Sequence, residues 1–376
     1  MNKVEMVDLK SQYLHIKDEI DSEIQGVLNS TRFIGGPLVS KFADDLKSYL
    51  DVNHVIPCAN GTDALQIALM ALDLEPGDEV IVPSFTYVAT AEVIGLLNLK
   101  PVMIDVEYDS FNINRSLVEE AITPKTKVII VVHLFGQSTD MEGILDLAKD
   151  KELIVIEDNA QAIGAEYSYA NGQKKKTGCM GHIGTTSFFP SKNLGCYGDG
   201  GAMFTNDEEI AQRLKMISNH GQKKKYYHSV IGCNSRLDAI QAAILGVKLK
   251  YLDNYSTKRN EVANKYDLAF KNITRIKTPT RSEYSNHVFH QYTIKVLDDR
   301  RDELKNYLLE KNISSMIYYP VPLYSQEAFS SLTNVTSLPV TERLCKEVLS
   351  LPIHTEMEEQ VQDYIIESLC NFFENE

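Results

Sequence analysis

From residue 60 to about 205 the chain alternates short apolar, β-branched runs with longer stretches whose apolar positions recur at helical spacing. Strands are predicted at Val80-Ile81-Val82, Val102-Met103-Ile104, Val128 to Val132, Leu153 to Ile156, Thr185 to Phe188 and Ala202 to Thr205. Ala64 to Leu72 and Met141 to Lys149 read as amphipathic helices between them. This alternation predicts an α/β domain of parallel strands joined by crossovers, its sheet covered on both faces. From Asp238 a long helical pattern runs through Lys250 into the polar stretch Asn254 to Asn264 and can link two domains. Beyond it, His290 to Val296 and Asp302 to Glu310 predict a smaller α+β domain. The expected division is a large domain over residues 1–250 and a small one over 251–376.

A chain of 376 residues has room for a sizeable core, and 43% hydrophobic with 24% charged residues is ordinary for a globular enzyme. The net charge of -14 argues against binding nucleic acid, which Lys/Arg-rich surfaces hold. The basic runs Lys174-Lys175-Lys176 and Lys223-Lys224-Lys225 read as solvated loops. No apolar run approaches the roughly 20 residues of a membrane helix, and the first residues lack the apolar centre of a signal peptide. Six scattered cysteines contain no C-x-x-C pair, so neither a zinc site nor a disulfide framework is indicated. A cytoplasmic address without metal follows as the expectation.

Glu157-Asp158 follows the predicted strand Leu153 to Ile156, so Asp158 sits at its carboxyl end, where open α/β sheets place ligands. A buried carboxylate there either caps the next helix or meets a cation, and a protonated pyridine nitrogen is one such cation. Lys192 lies in the apolar, hydroxyl-rich stretch Thr185 to Gly195, where desolvation would make its amine nucleophilic toward a carbonyl. Gly61-Thr62-Asp63 opens a helical pattern, either as a plain N-cap or as a cup of N–H groups for a phosphate. Tyr87 follows the strand Val80 to Val82 and can raise a ring at the mouth of a site, although aromatic residues after strands are commonly core. The glycine-dense Gly195 to Gly201 is explained by a tight turn before the next strand.

Taken in order, Gly61-Thr62-Asp63, Tyr87, Glu157-Asp158-Asn159-Ala160-Gln161, Ser187-Phe188-Phe189-Pro190-Ser191-Lys192 and Gly232-Cys233-Asn234-Ser235-Arg236 resemble the DegT/DnrJ/EryC1/StrS family of sugar aminotransferases. The likeness runs from Val7-Asp8-Leu9 to Leu351-Pro352. It implies the aspartate aminotransferase type of fold (PLP fold type I), a large mixed-sheet domain binding pyridoxal phosphate and a smaller C-terminal α+β domain, in a homodimer with shared sites. Lys192 would hold the cofactor as a Schiff base and move the proton, Asp158 would face the pyridine nitrogen, and Gln161 the 3-hydroxyl side. Tyr87 would stack on the ring. Gly61, Thr62 and Ser187 would hold the phosphate, with Asn234 reaching in from the partner. Asn159 stands where relatives commonly have alanine, between two cofactor contacts.

Ser-Phe-Phe-Pro-Ser-Lys followed by Leu-Gly-Cys-Tyr-Gly-Asp-Gly-Gly is similar to the subgroup that aminates C3 of UDP-2-acetamido-2-deoxy-3-oxo-glucuronate with glutamate, for surface polysaccharide. By that likeness Thr31, Phe33, Ser191, Tyr318 and Tyr319 would line the sugar, and the Arg236 fork would grip a carboxylate of glutamate or uronate. The cofactor would cycle through pyridoxamine phosphate, with glutamate leaving as 2-oxoglutarate. Tyr318 replaces a histidine common in relatives, which alters one hydrogen bond to substrate. The rival readings are a dTDP-3-keto-6-deoxyhexose aminotransferase and a non-catalytic sugar-nucleotide-binding relative. A sugar dehydratase would generally lack Lys192, and a dinucleotide-binding dehydrogenase would need a G-x-G-x-x-G that the first strand does not precede.

Overall fold

A computed structural model describes residues 3–374. Its strands are β1 His54–Cys58, β2 Glu79–Pro83, β3 Lys100–Ile104, β4 Thr126–Val132, β5 Ile154–Asp158, β6 Glu166–Ser168, β7 Lys174–Lys176, β8 Ile183–Ser187, β9 Gly201–Thr205, β10 Gln222–Lys224, β11 Tyr227–His228, β12 Ile276–Lys277, β13 Tyr292–Val296 and β14 Val348–Leu351. Seven of them form one sheet in the order β1-β9-β8-β5-β4-β2-β3.

The alternating pattern is reproduced at β2 to β5, β8 and β9, and β3, β2, β4, β5 and β8 run parallel. β9 departs from that expectation and lies antiparallel to both β8 and β1. A parallel neighbour needs a crossover helix; residues 188–200 contain none, so the chain folds straight back. β1 was not among the expected strands. It is a five-residue edge strand containing Pro57, a residue that edges tolerate because no ladder donor is lost.

Alternation along the buried strands divides the sheet's two faces. Val80, Val82, Val128 and Ile130 pack with the helices Gly61–Met70 and Ala89–Leu96. Ile81, Ile129 and Val131 face the opposite layer, where Val118 of helix Arg115–Ala121 and Ile144 and Leu147 of Met141–Asp150 meet them. The long helical stretch is two helices, Ala239–Leu249 and Leu252–Phe270, broken at Lys250-Tyr251. The first is buried along most of its length. The second packs one face against the small antiparallel sheet β12-β13-β14, together with helices Arg301–Glu310 and Glu359–Glu374. Leu323, Phe329, Leu344 and Cys345 return from the C-terminal part of the chain into the cores on either face of the large sheet.

The lysine runs are strands of small hairpins rather than loops. Lys176 pairs with Glu166 at 3.1 Å and stands over Tyr49, while Lys224 caps Tyr227 in the β10-β11 hairpin. Among the described residues no helix is long and apolar enough to cross a membrane, and no group of His, Cys, Asp and Glu is arranged to hold a metal ion.

Candidate active site

At the carboxyl ends of β4, β5 and β8 a cavity of about 880 Å³ opens between the large sheet and the segments around Gln291 and Tyr319. Gly61, Thr62, Tyr87, Asp158 and Gln161 line it, together with Ser187, Ser191, Lys192, Tyr318 and Tyr319. Ten of the fourteen residues singled out from sequence therefore meet in one place.

The floor is set by two adjacent carboxylates on opposite faces of β5. Glu157 is fully buried and accepts N–H groups from Gly178 at 2.8 Å, Met180 at 2.6 Å and Gly181 at 2.5 Å. His133, also fully buried, faces Glu157 at 2.8 Å through Nε2. Its Nδ1 accepts the Thr139 N–H at 3.0 Å, so the hydrogen sits on Nε2 and points at the carboxylate. The His133 N–H in turn donates to the Asp158 carbonyl at 3.1 Å, which fixes the strand end that carries Asp158.

Asp158 turns the other way, into the cavity. It accepts the Thr90 hydroxyl at 2.8 Å and the Ala160 N–H at 3.1 Å. Burial raises its pKa above the ordinary carboxylate value, against these two bonds and the charge of Lys192. The helix-capping alternative fails on geometry, since no described α-helix begins between β5 and β6.

Lys192 stands on the return between β8 and β9. Its N–H donates to Phe189 O at 2.8 Å, Cys196 N–H closes onto Phe188 O at 2.8 Å, and the buried Lys248 ammonium donates to Gly195 O at 2.6 Å. Asn193 ties the same turn to Val288 O at 2.9 Å. The turn that carries Lys192 is thus clamped on several sides, and the lysine lines the cavity. Burial pushes its pKa down to about 8, partly opposed by the charge of Asp158. An amine so placed is available as nucleophile and base near neutral pH.

Across the cavity, helix Gly61–Met70 presents its N-terminus. The cap is Asn60, whose Oδ1 accepts the Asp63 N–H at 2.8 Å, so Thr62 is not spent on capping. A Cβ at Gly61 would come within 2.6 Å of the Ser187 Cβ, so only glycine lets the helix start and Ser187 share one cup. Gln161 accepts the Phe135 N–H at 2.8 Å and donates to the Tyr319 hydroxyl at 3.1 Å, which fixes which end of the amide faces which partner. Tyr87 stands at the mouth, 57% exposed.

Thr31, Phe33, Asn234 and Arg236 do not line this chain's cavity; all four are exposed on the surface. Between the last two, Ser235 is buried and accepts the Ala59 N–H at 3.1 Å beside helix Gly61–Met70, while its two neighbours are exposed. Sequence reasoning missed Thr90, His133, Asn193 and His290. Their shared signal is a polar residue inside an apolar stretch, as in Val131-Val132-His133-Leu134 and Val288-Phe289-His290.

Pyridoxal phosphate fits this lining. Asp158 forms no ion pair with any described residue and would meet a pyridinium, the Gly61-Thr62-Ser187 cup suits a phosphate, and the Lys192 amine belongs to the same cavity. Residues 14–370 match the model of the DegT/DnrJ/EryC1/StrS aminotransferase family. The chain is 46% identical to the pleiotropic regulatory protein of Geobacillus stearothermophilus, covering 98% of each. It is 43% identical to the UDP-2-acetamido-2-deoxy-3-oxo-D-glucuronate aminotransferase of Pseudomonas aeruginosa, over 98% of this chain and 100% of that protein. Among solved structures, S. venezuelae DesV in complex with a ketimine intermediate superposes with a TM-score of 0.95 at 37% identity, covering 100% of this chain and 99% of that one. The chain belongs to the DegT/DnrJ/EryC1/StrS aminotransferase family, and it is a pyridoxal phosphate-dependent aminotransferase.

Proposed function

We propose that this enzyme transfers the amino group of glutamate to C3 of a 3-keto sugar nucleotide, UDP-2-acetamido-2-deoxy-3-oxo-glucuronate, for surface polysaccharide. The observation that carries the catalytic part is the convergence of the Lys192 amine and the Asp158 carboxylate in one cavity. The choice of sugar is supported by the Pseudomonas relative and by Arg236, whose guanidinium has one neutral contact, Asn219 at 3.3 Å, and stands ready for a carboxylate.

Bound pyridoxal phosphate supplies a carbonyl that takes up the donor's nitrogen and a ring that withdraws electrons from the carbon losing its proton. Asp158 would hold the ring nitrogen in its protonated form. The Lys192 amine would take up the proton that leaves the donor's carbon and hand it on. Gly61, Thr62 and Ser187 would hold the phosphate, Gln161 would face the ring's oxygen side, and Tyr87 would stack on its face. The rim is completed by a second copy of the chain, in a cytoplasmic homodimer. Asn234 and Arg236 flank an anchored Ser235 and face outward, which supports a role for them at a partner's cavity.

The test is a panel of 3-keto and 4-keto UDP- and dTDP-sugars with glutamate, read by mass spectrometry, with NMR of the product. Nitrogen at C3 of the UDP-uronate is expected. Nitrogen at C4, or turnover only of dTDP-6-deoxyhexoses, would replace the substrate and leave the transaminase standing. A protein whose visible absorbance ignores glutamate would sink the catalytic reading itself.

A further inference from the structure

Helix Ala239–Leu249 is apolar and largely buried, and it carries two polar side chains, Gln241 and Lys248. They stand seven residues apart, which is two turns, so both leave the same face of the helix. Both end on the backbone of the β8-β9 return. Lys248 Nζ donates to Gly195 O at 2.6 Å. Gln241 Oε1 accepts the Tyr197 N–H at 2.9 Å, and its Nε2 donates to Tyr197 O at 3.3 Å.

Lys248 is the more telling of the two. It is 1% exposed, and among the described residues it pairs with no carboxylate. A buried ammonium without an acid is costly, and a leucine or methionine would sit in this helix without that cost. What the charge gives is a hydrogen bond about twice as strong as a neutral one. Its ring contact, Tyr197 at 5.3 Å, belongs to the same return as its hydrogen bond.

The return needs such support, since residues 188–200 contain neither helix nor strand. At Gly195 the chain doubles back so closely that a Cβ would come within 2.3 Å of Pro190 O. Where Gly195 moves, Pro190 and the two residues after it, Ser191 and Lys192, must move with it.

We propose that Lys248 and Gln241 are positioning residues for the catalytic amine. Helix Ala239–Leu249 is a template that holds the Lys192 return in one shape, so the amine meets the cofactor from the same point in every cycle. This rests on Lys192 as the catalytic amine, and the two claims fail separately.

The test follows the uptake of pyridoxal phosphate by the full chain freed of cofactor, with stopped-flow visible absorbance for the rate and borohydride trapping with mass spectrometry for the lysine that carries it. Lys248→Met keeps the apolar stem and removes donor and charge. Uptake should slow about tenfold or more, and kcat per bound cofactor should fall by a similar factor with KM unchanged. Lys248→Arg returns a charged donor and should recover most of both. Gln241→Leu, at the half-buried end of the helix, should slow uptake by about threefold. A role confined to stability would lower the urea midpoint and leave uptake per folded chain and kcat per bound cofactor at native values, which overturns the proposal. Equal losses in Lys248→Arg and Lys248→Met overturn it as well. Should the Lys248 variants not fold, Gln241→Leu decides, and native uptake in it overturns the proposal. Trapping of the native chain at a lysine other than Lys192 would remove the premise instead, and the labelled peptide tells the two failures apart.

Discussion

Glu157 and Asp158 are sequence neighbours, both buried at the end of one strand, and their surroundings make them opposites. Glu157 is met by three backbone N–H groups and the His133 ring, so its charge is satisfied within the fold. Asp158 has two neutral donors and an open side, and burial makes its charge hard to hold. A carboxylate with every lone pair met is part of the scaffold; one left short of a cation is waiting for a ligand. The β pleat, which sends consecutive side chains to opposite faces, lets both stand side by side.

The largest effect should come from removing the cation that shares the cavity with Asp158. Lys192→Ala is expected to lower kcat by at least on the order of 10⁴-fold, with the cofactor retained through non-covalent contacts and lost on gel filtration. Full transamination by this variant would break the reading of the floor. Asp158→Asn should cost on the order of 10²–10³-fold in kcat with little change in denaturation midpoint. Glu157→Gln should do the reverse, losing roughly 2–3 kcal/mol in urea unfolding while the folded fraction keeps most of its kcat. Equal loss of kcat in both variants would erase the distinction.

The smallest effect is in the titration of Lys192. Its reactive neutral form grows as pH rises through about 8, so acylation of the cofactor-free protein should reach half its plateau there. Asp158→Asn removes an opposing charge and should move that point lower, whereas Glu157→Gln should leave it in place. Because the folded pKa lies below the ordinary 10.5, the unfolded chain binds the extra proton between about 8 and 10.5. This lysine therefore makes the fold more stable as pH rises through that window, and has no such effect below it.

Much of the floor was legible because its parts are local. Gly61-Thr62, Asp158 and Lys192 each sit at a junction between a strand and the next element, and the period of apolar residues locates such junctions. The resemblance added their joint order. Less could be read where a residue's role depends on something distant in the chain. Thr90 matters because of Asp158, Asn193 because of Val288, and Lys248 because of Gly195. β1 was missed because five residues with a proline carry little pattern until β9 supplies the partner. Thr31, Phe33, Asn234 and Arg236 were expected by likeness alone, and they stand outside the cavity that this chain builds.

The antiparallel strand β9 sets a schedule for synthesis. β1 is among the first strands to leave the ribosome, yet its one neighbour in the sheet is β9, roughly 140 positions later. At ordinary translation rates that is a wait of about 7–30 s with an apolar edge unpaired. Lys192 emerges just before β9, so the turn that holds the reactive amine and the strand that closes the sheet arrive together. A nascent chain halted short of Thr205 would expose the β1 edge to chaperones, and release past it would complete sheet and catalytic turn in one step.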